Sequence, residues 1–141
     1  MRVDRHVVRH WSSTQATLAL SSGEAEYAAL VKTASCGLGL QSMLQDLGIA
    51  AQVKLECDSA AAIGIASRVG LGKLRHLEVH LLWLQELVRD KRVQLHKVDG
   101  KSNISDFLTK FCKKEVLDFA LPECSFRERA GRAEVAPEIQ G

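Results

Sequence analysis

The chain has 141 residues, 46% of them hydrophobic, with a mean hydropathy of -0.05, a formal charge of +2 and a pI near 8.4. These values exclude an intrinsically disordered polymer and fit one globular domain of ordinary size. No apolar run reaches the ~18 residues of a membrane span, and the opening Met1-Arg2-Val3-Asp4-Arg5-His6 lacks the apolar core of a secretory signal. The mild positive balance permits nucleic-acid binding without requiring it. Cys36, Cys57, Cys112 and Cys124 form no C-x-x-C pair and match no zinc template, so they read as reduced thiols of an intracellular protein, cytoplasmic or nuclear.

Residues 7–11 and 14–20 read as two short strands joined at Ser12-Ser13. Ser21 followed by Glu24 has the spacing of a capping box and opens a long helix that ends at Gly48. Helical periodicity places Ala25, Ala28, Ala29, Cys36, Leu40, Met43, Leu44 and Leu47 on its core face; Gly37 and Gly39 mark a kink or a close backbone contact. Val53–Cys57 alternates as a strand, and Asp58-Ser59 caps a short alanine-rich helix that runs to Ser67. A loop rich in glycine and basic residues, 68–75, follows. A second long helix over 77–90 carries the stripe Leu77, Leu81, Leu84, Val88. Val93–Val98 is the next strand, Asp99-Gly100 turns it, and Ser102 or Asn103 opens a last helix over 104–111. The domain therefore covers 1–112, and 113–141 is a polar, partly disordered tail. The order of elements predicts an α/β fold: a parallel β-α-β unit behind a hairpin, hence a mixed sheet flanked by helices.

Glu24, Asp58 and Asp106 stand at helix starts or strand ends, where ligands collect in open α/β sheets. Carboxylates gathered there repel unless a cation lies between them, and such hard oxygen donors suit Mg²⁺, with Mn²⁺ as the alternative. The same residues also suit helix N-termini without any metal, since acidic side chains cap free N–H groups and favour the helix dipole. Arg68, Lys73 and Arg75 are candidate phosphate contacts, or a solvated basic loop. His76 and His80 are four apart but lack a third ligand, and Trp11 and Trp83 read as core residues rather than base-stacking ones.

Four strings carry a resemblance. Residues 11–30 read W-S-S-T-Q-A-T-L-A-L-S-S-G-E-A-E-Y-A-A-L, residues 57–63 C-D-S-A-A-A-I, residues 74–79 L-R-H-L-E-V, and residues 103–110 N-I-S-D-F-L-T-K. In order and spacing they resemble the ribonuclease H domain of copia-type retrotransposon Pol polyproteins, over roughly residues 7–112. The resemblance implies a ribonuclease H-like mixed sheet flanked by helices. It also implies Mg²⁺-dependent (or Mn²⁺-dependent) hydrolysis of the RNA strand of an RNA–DNA hybrid, beside the reverse transcriptase portion of the same polyprotein and away from any membrane. Glu24, Asp58 and Asp106 match the second, third and fourth catalytic and metal-binding carboxylates of that family. The first catalytic aspartate and the strand that bears it have no counterpart here. The resemblance therefore implies an N-terminally truncated domain with impaired activity, or an inactive remnant that binds nucleic acid weakly.

Overall fold

The computed structural model describes the chain except residues 5, 12, 14–18, 71, 73–78, 101–102, 106–110 and 127–141. The expected strand over 14–20 falls mostly on residues outside this description, as do His76, Leu77 and the body of the expected helix over 104–111.

The chain opens with a tight hairpin of β1 (Arg2–Val3) and β2 (His6–Val7), antiparallel, with Arg2 opposite Val7. Asp4 sits at φ 54°, a left-handed position that aspartate tolerates in turns. This hairpin precedes the expected one, whose turn at Ser12-Ser13 and second strand lie mostly outside the described residues; of the expected first strand over 7–11 only Val7 is in a strand, and residues 8–11 carry no regular structure. The long helix, α1, spans Ser22–Asp46. Ser21 Oγ accepts from the Glu24 backbone N–H (3.2 Å), and Glu24 Oε2 accepts from the Leu20 N–H (3.0 Å), so both halves of the predicted cap form, the second shifted by one residue.

The buried face of α1 is Gly23, Glu24, Tyr27, Leu30 and Ala34, not the expected Ala25–Leu47 stripe; Met43 and Leu47 are largely exposed. Close approach decides this. A Cβ at Gly23 would stand 2.7 Å from Ala61 Cβ, and one at Gly37 would stand 2.9 Å from Val53 Cγ1. The helix turns its bare backbone toward its neighbours, so Gly37 marks a close contact, while Gly39 meets nothing within 4 Å.

β3 (Val53–Cys57) alternates buried and exposed, with Val53, Leu55 and Cys57 inward. It pairs in parallel with β4 (Val93–Lys97), Val53 opposite Val93 through Cys57 opposite Lys97. Between them run α2 (Ala60–Ser67), a 3₁₀ turn (Val79–Leu82) and α3 (Trp83–Arg89), the crossover that a parallel pair requires. The core joins Tyr27, Leu30 and Ala34 of α1 to Val53, Leu55, Ile65, Leu81, Leu84, Leu87 and Val93. Tyr27 is fully buried, and its hydroxyl donates to the Leu81 carbonyl (2.6 Å), tying α1 to the crossover. The predicted stripe holds at Leu81 and Leu84 and then continues through Leu87. Trp83 is 36% exposed and is no core residue, and Trp11 is half-buried with the Arg9 guanidinium 5.5 Å from its ring centre.

The architecture is thus mixed α/β, with an antiparallel and a parallel strand pair. Beyond the expected domain, α4 (Lys114–Glu123) is a helix that the polar reading of 113–141 did not contain; Ala120 and Cys124 are its buried contacts. Among the described residues, the second edge of β3 has no strand partner. Along it lies a trough of about 590 Å³ lined by Val53–Glu56, by Gly37, Leu40 and Leu44 of α1, and by the hairpin. Arg2 reaches across to Glu56 (3.3 Å).

Candidate functional site

The parallel pair delivers its strand ends to one place. Val98 N–H donates to the Cys57 carbonyl (3.0 Å), extending the β3–β4 ladder by one bond and fixing Asp58 as the first residue beyond it. Ser59 then caps α2 by accepting from the Ala62 N–H (3.2 Å). Asp58 itself leaves the capping to Ser59 and is half-buried between strand and helix. A Cβ at Gly100, in the turn after β4, would stand 3.4 Å from Asp58 Oδ2, so that turn closes over the carboxylate.

From α1, Glu26 meets this strand end. One ligand atom each of Glu26, Cys57 and Asp58 lies within 4.8 Å of the others. Glu26 is exposed, Asp58 half-buried and Cys57 buried. Burial pushes the Cys57 thiol pKa up, and the nearby Glu26 and Asp58 carboxylates push it the same way, against an N–H bond from Ser59. Cys57 is thus a neutral, soft donor beside two hard ones. The carboxylates fit a hard divalent cation; the protonated thiol does not.

Of the residues singled out in the sequence, Asp58 is in this cluster and Glu24 is not. Glu24 is 5% exposed and its Oε2 accepts from the Leu20 N–H at the start of α1. Asp106, Lys73 and Arg75 lie outside the described residues. Arg68 is half-buried at the end of α2, with its guanidinium against Gly72. The residue that sequence reasoning missed is Glu26. Two positions along a helix are about 200° apart, so Glu24 and Glu26 cannot face the same way. The capping box already accounts for Glu24, and that was the available signal for Glu26.

The chain is 33% identical over 101 residues to the retrovirus-related Pol polyprotein from transposon TNT 1-94 of Nicotiana tabacum. Over that stretch the chain is similar to part of a retroelement Pol polyprotein. The match takes in 70% of this chain and 8% of the relative, so the chain spans a small part of that polyprotein's length. No protein-family model matches the chain, and no solved structure matches it. No helix among the described residues is long and apolar enough to cross a membrane.

Proposed function

We propose that this chain is a retroelement-type ribonuclease H module that acts on the RNA strand of RNA–DNA hybrids with a divalent cation, Mg²⁺ or Mn²⁺. The observation that carries the reading is the meeting of Glu26 and Asp58 at the C-terminal end of a parallel strand pair, in a chain with the four ordered motifs of the copia-type domain. Glu26 and Asp58 would hold the cation, with Asp106 as the further carboxylate that the motifs nominate, while Glu24, which the motifs also nominate, serves as the cap of the same helix. A divalent ion held there supplies the charge that activates a water and stabilises the departing 3′ oxygen of a phosphodiester.

The chain's own residues set the conditions for that chemistry. The β3–β4 ladder and the Gly100 turn hold Asp58 in place. Glu26 approaches from an exposed helix face and leaves the cluster open to a substrate from solvent. Cys57 closes the buried side as a protonated thiol and adds no charge. Arg68, with Lys73 and Arg75, would neutralise phosphates of the hybrid. In its native setting the partner would be the reverse transcriptase portion of the same polyprotein.

A second reading is a module that binds hybrids without cleaving them. The uncharged third donor at the cluster favours it, because two carboxylates hold a cation more weakly than three or four. Cleavage of a labelled RNA–DNA hybrid with Mg²⁺ or Mn²⁺, beside Asp58→Asn, separates the two. Cleavage that vanishes in Asp58→Asn supports the nuclease. Binding without cleavage by folded protein supports the second reading.

A further inference from the structure

Gln85 sits on α3 and is only 7% exposed. Its side-chain amide is fully engaged. Oε1 accepts from the Gly70 N–H (2.8 Å), and Nε2 donates to the Gly70 carbonyl (3.0 Å) and to the Ile65 carbonyl in the last turn of α2 (2.9 Å). It thus pairs with both backbone groups of Gly70 as a neighbouring strand would, and it satisfies a helix-end carbonyl as well. The segment it grips is the basic loop. Gly70 and Gly72 both take left-handed conformations there, at φ 79° and 58°. A Cβ at Gly72 would stand 2.9 Å from Arg68 Nη1, 3.0 Å from Cζ and 3.3 Å from Nε, so the guanidinium rests where any other residue would put a side chain.

An exposed loop needs neither a buried amide nor a bare Cα to exist. Together these features hold the loop backbone at Gly70 and leave the space at Gly72 that the Arg68 guanidinium occupies. A cation held in advance loses little freedom when it meets a phosphate, and a planar guanidinium suits two phosphate oxygens at once. We propose that Gln85 and Gly72 are positioning residues that seat Arg68 to receive one phosphate of a nucleic-acid backbone. This rests on the hybrid-binding reading above and adds to it which cation is pre-set and by what.

The test is the salt dependence of hybrid binding by the full chain, read by fluorescence anisotropy of a labelled RNA–DNA duplex across a KCl series. Each phosphate contact contributes roughly one unit to the slope of log K against log salt. Arg68→Gln is expected to lower the slope by about one. Gln85→Met and Gly72→Ala should each reproduce that loss, and neither should add to it when combined with Arg68→Gln. A loss of stability alone would not move the slope of the folded protein, nor would it vanish in the Arg68→Gln background. Gly72 is exposed, so Gly72→Ala decides the matter if Gln85→Met folds poorly. Wild-type slopes in folded Gly72→Ala and Gln85→Met, beside a reduced slope in Arg68→Gln, would overturn the positioning role and leave hybrid binding standing. A wild-type chain with no salt-dependent affinity for the duplex would remove the hybrid reading, and this inference with it.

Discussion

Glu26 on α1 and Asp58 after β3, distant in sequence, bring carboxylate oxygens within 4.8 Å of each other. Glu24, two residues before Glu26, caps the same helix. The two glutamates should therefore respond differently to substitution. Glu26→Gln and Asp58→Asn are expected to lower Mg²⁺-dependent hybrid cleavage by roughly a hundredfold or more while leaving stability nearly unchanged. Glu24→Ala is expected to lower stability by ~1 kcal/mol, as the loss of a capping partner does. Cleavage rates and urea denaturation of the three variants check this; equal stability losses in all three would count against the division of roles.

Tyr27 offers a pH test. Burial pushes its phenol pKa up from 10 to about 12, against a smaller pull down from Arg68. A raised folded-state pKa favours the neutral form, so this contribution is complete below pH 10 and is lost as pH climbs from 10 towards about 12. Tyr27→Phe should remove that alkaline component. It should also cost ~1–3 kcal/mol at neutral pH, because the Leu81 carbonyl loses its donor in the core. Urea unfolding of both proteins at pH 8 and pH 11 gives the comparison, and identical pH profiles would contradict it.

The glycines of α1 separate close approach from mere flexibility. Gly37→Ala is expected to destabilise by ~1–3 kcal/mol, since its Cβ would lie 2.9 Å from Val53 Cγ1. Gly39→Ala meets no atom within 4 Å and should stabilise by up to ~1 kcal/mol through helix propensity. Opposite shifts in melting temperature are the expected result.

The edge of β3 that has no strand partner among the described residues faces the trough between α1 and the hairpin. Strand edges of this kind recruit other strands. Sedimentation velocity should show association that grows with concentration, and heating should give a broad or irreversible transition. A sharp, reversible transition in a strict monomer would argue against this.

The strands and caps were legible where local chemistry settles the matter. Val53, Leu55 and Cys57 alternate in sequence and in burial, and Ser21 and Glu24 announce the start of α1. The inward face of α1 was read wrongly because two faces of the helix carry apolar residues at helical spacing; Tyr27, Leu30 and Ala34 win over the other because Ala61 and Val53 come close to the bare glycine backbone on their side. No sequence pattern marks Gln85; its three hydrogen bonds, two to Gly70 and one to Ile65 in α2, arise only from the fold. The helix α4 hid in a stretch whose charged residues suggested a tail, since its packing reduces to Ala120 and Cys124.

The parallel register of β3 with β4 has a kinetic consequence. Asp58 and the Gly100 turn become neighbours only after everything between the two strands has formed a crossover and returned. Distant pairing of this kind pays its loop-closure entropy before any contact rewards it. The acidic cluster should consequently be among the last features to mature during refolding. A probe at Cys57 would report its arrival after the helical signal of α1 has saturated.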